Sequence, residues 1–204
     1  MLHTACQALG SWKEQFPQHL HLSVAVNLST RQFLQADLGT TIRTSLDDSG
    51  LPGQSLKIEV TETMLMENVD IAAEVLLDLR SAGVRVCMDD FGTGYSSLSR
   101  LHGLPIDTLK VDKSFVGRMD TGGNNLELVR GIVGLGHNLG MHVVAEGVET
   151  REQLELLQDL DCEYAQGFYI GEPLPAEEVG PLLALAPATE ACPERRGGPQ
   201  HGRT

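Results

Sequence analysis

Positive charge is scarce in this chain. Fifteen Lys and Arg face 28 Asp and Glu, a formal net charge of −13 over 204 residues. Such a surface repels the phosphates of DNA, RNA and anionic lipid, which argues against a nucleic-acid polymer or a charged membrane as partner. An anionic substrate binds only where a metal ion or local positive charge offsets the acids. Cysteine is also sparse. Cys6, Cys87, Cys162 and Cys192 form no CxxC pair, and their spacings suit neither a zinc site nor a disulfide framework. Reduced thiols in a cytoplasmic protein are expected. Cys87, set inside an apolar run, is expected in the core. No apolar run approaches the ~20 residues of a membrane span. The opening "MLHTACQALGSW" lacks the basic start of a secretion signal. No internal repeat is visible. The closing "PATEACPERRGGPQHGRT" is rich in Pro, Gly and charge, so disorder is expected from about Pro187.

Hydrophobic residues make up 41% of the chain, enough for one domain with its own core. The patterning alternates strand and helix. "HLSVAVNLS" reads as a strand ending at Asn27, and "LGTTIRTSLDDSGL" as a helix closed by Gly50. "SLKIEVTE" is a strand, and "NVDIAAEVLLDLRSAG" a helix stopped by Gly83. "VRVCMDD" is a strand, followed by a short helix around Leu98 to Leu101. "TLKVDKSF" is a strand and "NLELVRGIVGLGHNLG" a helix stopped by Gly140. "MHVVAEG" is a strand, "TREQLELLQDL" a helix capped by Thr150, "EYAQGFYI" a strand, and "PAEEVGPLLALA" a last helix. Strict alternation predicts an α/β fold with a parallel sheet, closed or doubly wound.

Each predicted strand carries an acid, an amide or a lysine near its C-terminal end: Asn27, then Glu59 and Glu62, Asp89 and Asp90, Lys110 and Asp112, Glu146 and Glu149, and Gln166. Any one of them could cap the next helix or sit in a solvated loop. In a (β/α) barrel all six strand ends converge on one rim, where active sites are built.

The stretch "VCMDDFGTGYSSL" poses the chemical question most sharply. Adjacent carboxylates repel unless a cation lies between them. Asn27, Glu59, Asp89 and Asp90 are hard oxygen donors, an environment for Mg²⁺ or Mn²⁺. A second metal bridged by Asp89 would make a clamp suited to phosphodiester hydrolysis. On one expected strand, Lys110 and Asp112 point to the same face. Lys110 either makes an ion pair inside the barrel or orients a water and steadies phosphoryl charge. Glu146 is a second-metal ligand or a general base. Glu149 is a further acid, or a helix N-terminal charge beside Thr150. Gly92 and Gly94 allow tight backbone geometry in a loop that would couple metal to substrate. Glu62 either holds that loop through Thr93 or Ser96 or is a surface carboxylate.

The set "NLS" (27–29), "EVTE" (59–62), "DDFGTGYSSL" (89–98), "LPIDTLKVDKSFV" (104–116), "VVAEGVET" (143–150) and "AQGFYIGEPLP" (165–175) resembles the EAL domain family. That family comprises cyclic di-GMP phosphodiesterases and their inactive relatives. The resemblance implies a modified TIM (β/α) barrel that uses Mg²⁺ or Mn²⁺ to cut cyclic di-GMP to linear pGpG, in bacterial second-messenger signalling and biofilm control. By motif, Asn27, Glu59 and Asp89 match ligands of a first metal, and Asp89, Asp90 and Glu146 surround a second metal or the attacking water. Lys110 matches the residue that contacts that water. Glu62 matches the anchor of the loop Phe91, Gly92, Thr93, Gly94. Gln166 matches a site residue of the last strand, with Asp112 and Glu149 as supporting acids.

The chain departs from the family in one respect. The Glu-Ala-Leu motif, with a further metal-binding glutamate and a substrate-binding arginine soon after it, has no counterpart here. The expected barrel is therefore incomplete, lacking the first two strands, with on the order of 60 residues missing relative to a ~250-residue TIM barrel. Residues 1–186 are expected to form the EAL domain and 187–204 a disordered tail. Open strand edges invite a homodimer, and a sensory or diguanylate cyclase domain would lie upstream. Two functions stay open: a phosphodiesterase impaired by the missing segment, or an inactive cyclic di-GMP receptor or protein-interaction module. A metal barrel of enolase type with Lys110 as base fits the acids but leaves "DDFGTGYSSL" unexplained.

Overall fold

The structure, a computed structural model, describes residues 1–92, 101, 103–119 and 124–186. Six strands follow one another in sheet order: β1 (Val24–Asn27), β2 (Leu56–Thr61), β3 (Arg85–Phe91), β4 (Thr108–Val111), β5 (His142–Glu146) and β6 (Tyr164–Gln166). The pairings β1–β2, β2–β3, β4–β5 and β5–β6 are all parallel. This is the expected α/β architecture, and all six strands occur where the sequence places them.

The chain forms two compact units whose boundary falls inside β3, between Asp89 and Asp90. The first contains β1, β2 and most of β3 with the helices Leu2–Gln15, Leu38–Asp48 and Val69–Ser81. Its helices bury single stripes: Leu38, Ile42, Ser45 and Leu46 on one, Ala72, Leu76 and Leu79 on another. That spacing is the helical period seen in the sequence. On β3, the successive residues Val86, Cys87 and Met88 are all buried, as befits a parallel strand covered on both faces. Cys87 is thus a core residue, as expected.

The second unit contains β4, β5 and β6 with the helices Lys113–Val116, Asn124–Asn138 and Arg151–Asp159. All four residues of β4 are buried. The helix Arg151–Asp159 starts on a reciprocal cap: Thr150 accepts from the Gln153 N–H, while the Gln153 side chain accepts from the Thr150 N–H. Helix stops at Gly50, Gly83 and Gly140 are borne out by positive φ angles of 62°, 77° and 75°.

Two strands end earlier than the sequence suggests. β4 stops at Val111 because Asp112 turns the chain into the helix Lys113–Val116, its Oδ1 accepting the Ser114 N–H at 2.9 Å. β6 stops at Gln166 because the chain folds back on Val148: the Val148 N–H donates to the Gln166 carbonyl and the Tyr169 N–H to the Val148 carbonyl, both at 3.0 Å. Only glycine fits at position 167, where a side chain would collide with the Val148 backbone. Of the short helix expected at Leu98–Leu101, residues 98–100 lie outside the described residues, as does the tail 187–204; Leu101 is helical and buried.

Candidate active site

In the second unit, β4 and β5 lie side by side, with Lys110 opposite Val144 in the ladder and Glu146 ending β5. Lys110 is 5% exposed. Its Nζ lies 2.6 Å from Glu146 Oε1. A buried ammonium requires such a partner, because desolvating it alone is far costlier than desolvating the pair. The sequence leaves Lys110 either an ion pair or a site residue; its ion-pair partner is itself a site acid. Asp90 and Glu146 offer carboxylate oxygens within 4.8 Å of each other, and Asp89, bonded to Asp90, completes the group. Asp90 adopts a φ of 55°, a region that Asp tolerates better than most side chains.

Would this group suit a divalent ion? Three carboxylates gathered this closely repel one another, and their donor atoms are all hard oxygens. That chemistry fits Mg²⁺, Mn²⁺ or Ca²⁺ and disfavours softer metals.

The first unit supplies a second polar pair. Asn27 and Glu59 are directly opposed in the β1–β2 ladder, and Asn27 Nδ2 donates to Glu59 Oε2 at 3.0 Å. Glu59 is 8% exposed. Glu62 begins the helix Glu62–Glu67, whose cap is Thr61; Thr61 Oγ1 accepts from the Met64 N–H. At 2% exposed, Glu62 is not the surface carboxylate that one reading of the sequence allowed. A negative side chain in a first helical turn also complements the helix dipole.

The remaining predicted residues scatter more widely. Phe91 closes β3 and is buried, and Gly92 has a φ of 95°. Thr93, Gly94 and Ser96 lie outside the described residues. Contrary to the expectation from sequence, Asp112 does not share a strand face with Lys110, because it lies past the strand end as a helix cap. Burial opposes its ionisation, but hydrogen bonds from Ser114 and the Lys113 backbone outweigh that and hold it below the usual aspartate value. Glu149 is exposed, and its backbone N–H donates to Gln153 Oε1 at 2.8 Å. Gln166 is exposed and stands opposite Glu146 in the β5–β6 ladder. The pairing of Lys110 with Glu146 is not foreseen from sequence, since neither periodicity nor spacing identifies a cross-strand partner.

Fold and site residues together define an α/β protein whose parallel strands each carry an acid, an amide or a lysine at or near the C-terminal end. The EAL domain profile matches residues 1–173, and the chain belongs to the EAL domain family. It is 40% identical over 179 residues to the bifunctional diguanylate cyclase/cyclic di-GMP phosphodiesterase MucR of Pseudomonas aeruginosa, covering 88% of this chain and 26% of that protein. The cyclic di-GMP phosphodiesterase NbdA of the same organism is 41% identical over 86% of this chain and 22% of its own length. Among solved structures, the PaMucR phosphodiesterase in complex with c-di-GMP superposes with a TM-score of 0.83 at 40% identity, covering 87% of this chain and 71% of that one. The chain spans about a quarter of the length of the curated relatives it matches. It is a partial EAL domain with the incomplete TIM-type α/β fold.

Proposed function

We propose that this chain is the larger part of a phosphodiesterase domain that hydrolyses cyclic di-GMP to linear pGpG. The observation that carries the reading is the buried Lys110 paired with the half-buried Glu146, whose carboxylate is grouped with those of Asp89 and Asp90. In the reaction, a water oxygen joins phosphorus, one phosphorus–oxygen ester bond breaks, and the leaving ribose oxygen gains a proton. Asn27, Glu59 and Asp89 would hold one Mg²⁺ or Mn²⁺; Asp89, Asp90 and Glu146 would hold a second. Such ions supply charge neutralisation at the phosphate and a more acidic water. Lys110 donates a hydrogen bond to Glu146 and thereby fixes its carboxylate, and its charge would orient water or steady a phosphoryl oxygen. Glu146 or Asp90 takes the proton that the water loses. Glu62, buried at its helix start, would serve as the anchor that the family motif assigns to the loop after Asp90. Gln166, Asp112 and Glu149 border this site or support it.

Metal use is supported by the fit of the donor set and by a related structure: the Klebsiella pneumoniae BlrP1 manganese/cy-diGMP complex, 36% identical with a TM-score of 0.70 over 78% of this chain and 41% of that one. A larger parent protein is supported by the length of the relatives, one of them an oxygen sensor protein, DosP of Escherichia coli. A sensory or cyclase domain would lie upstream, the protein would work in the cytoplasm, and two copies would associate through the outer strands of the sheet. Among the described residues, no helix is long and apolar enough to cross a membrane.

Without the Glu-Ala-Leu strand the 204-residue chain is expected to turn over cyclic di-GMP poorly. In the alternative, receptor reading, the dinucleotide binds uncut. Turnover and binding assays on the same preparation separate the two: dinucleotide binding without any turnover, even in an upstream-extended chain, contradicts the enzyme.

A further inference from the structure

The one-turn helix Lys113–Val116 meets the ends of two acid-bearing strands through two glycines. Gly147 follows Glu146 directly and has a φ of 70°. A Cβ there would collide with Lys113 Cβ and lie 3.3 Å from Lys113 Cα. Gly92 follows Asp90 by two residues and has a φ of 95°. A Cβ there would lie 3.0 Å from Phe115 Cε2 and 3.2 Å from Cζ. The helix has little freedom of its own. Asp112 caps its start, Val116 is fully buried at its end, and β4 leads into it from Lys110, already paired with Glu146.

We propose that helix Lys113–Val116 is a positioning strut: Lys113 seated on Gly147 and Phe115 seated on Gly92 set the distance between the Glu146 and Asp90 carboxylates. This rests on the metal-site reading of those acids. The physical basis is contact at van der Waals limits. Each glycine removes the one carbon that would push the strut away, and each adopts a backbone angle that other residues reach only with strain. Groups that orient ligands from behind typically change metal affinity by about 10–100-fold when altered. Gly147, Gly92 and Phe115 are positioning residues here, since none of them need touch metal or substrate.

The test titrates Mn²⁺ into the 204-residue chain, following free Mn²⁺ by electron paramagnetic resonance, with circular dichroism melts alongside. Gly147→Ala and Phe115→Leu are compared with Gly140→Ala. Gly140 has a similar φ of 75° but has no neighbour within 4 Å of a built Cβ. It therefore reproduces the backbone strain without the strut. The expected result is Mn²⁺ affinity about tenfold weaker in Gly147→Ala and at least a few-fold weaker in Phe115→Leu, against a change within about twofold in Gly140→Ala despite its lower melting temperature. A folded Gly147→Ala that binds like the parent overturns the proposal, as does equal weakening in Gly140→Ala. If Gly147→Ala does not fold, parent-like binding by Phe115→Leu overturns it. Failure of the parent chain to bind Mn²⁺ overturns the metal-site reading and the strut together, whereas parent binding with unaffected variants overturns the strut alone.

Discussion

Lys110 is the residue on which chemistry and structure meet most closely. It is buried, yet its ammonium lies 2.6 Å from a carboxylate that belongs to the acidic group. In an upstream-extended chain, Lys110→Met is expected to lower turnover by about 10²–10³-fold, measured as pGpG release at saturating substrate. Cys162 gives a prediction independent of catalysis. Burial, with the Glu163 charge adding to it, pushes its thiol up to about 11 despite backbone hydrogen bonds that pull the other way. A raised thiol pKa leaves little thiolate at pH 8, so Cys162 should react with iodoacetamide far more slowly than a free cysteine. Peptide mapping by mass spectrometry after timed alkylation measures this. At this scale the sequence was legible wherever a motif carried the residue: Asn27, Glu59, Asp89, Asp90, Lys110 and Glu146 all lie on the strands expected. For Glu62 the sequence left a loop anchor and a surface carboxylate both open, because its burial depends on how its helix packs; the Lys110–Glu146 pair was not legible, because it depends on strand register.

The elements show why boundaries are harder to read than elements. "TLKVDKSF" places Leu109, Val111 and Phe115 at alternating positions interrupted only by Lys113, yet the strand yields at Val111 because the Asp112 side chain offers the next backbone N–H groups a better partner. Asp112→Ala should therefore destabilise the chain by about 1 kcal/mol at pH 7, measured by urea unfolding. The pH dependence follows from the direction of its shift. A carboxyl held below its unfolded value stabilises the fold above that value and loses this contribution as pH falls through the folded one. The difference between parent and Asp112→Ala should thus shrink as pH drops below about 4. "EYAQGFYI" misled in the same way: its apolar pattern continues past Gln166, but backbone bonds to Val148 bend the chain away from the sheet. The glycine stops were legible because their cause is local, a left-handed residue that ends the helix.

At the scale of the whole molecule, alternation of strand and helix identifies a parallel α/β sheet, and motif order identifies the EAL family. What alternation could not supply is the tertiary fitting of Lys113 and Phe115 to Gly147 and Gly92, which joins residues distant in sequence. The account's central claim is that these strand ends form the greater part of a metal-dependent cyclic di-GMP phosphodiesterase site that needs an upstream Glu-Ala-Leu strand to work. The most direct test is cyclic di-GMP turnover with Mg²⁺ or Mn²⁺, comparing the 204-residue chain with one extended upstream to include that strand. The account predicts steady release of pGpG by the extended chain and little or none by the 204-residue chain. Dinucleotide binding with no turnover by either chain would contradict the enzyme, and robust turnover by the 204-residue chain would contradict the need for the missing strand.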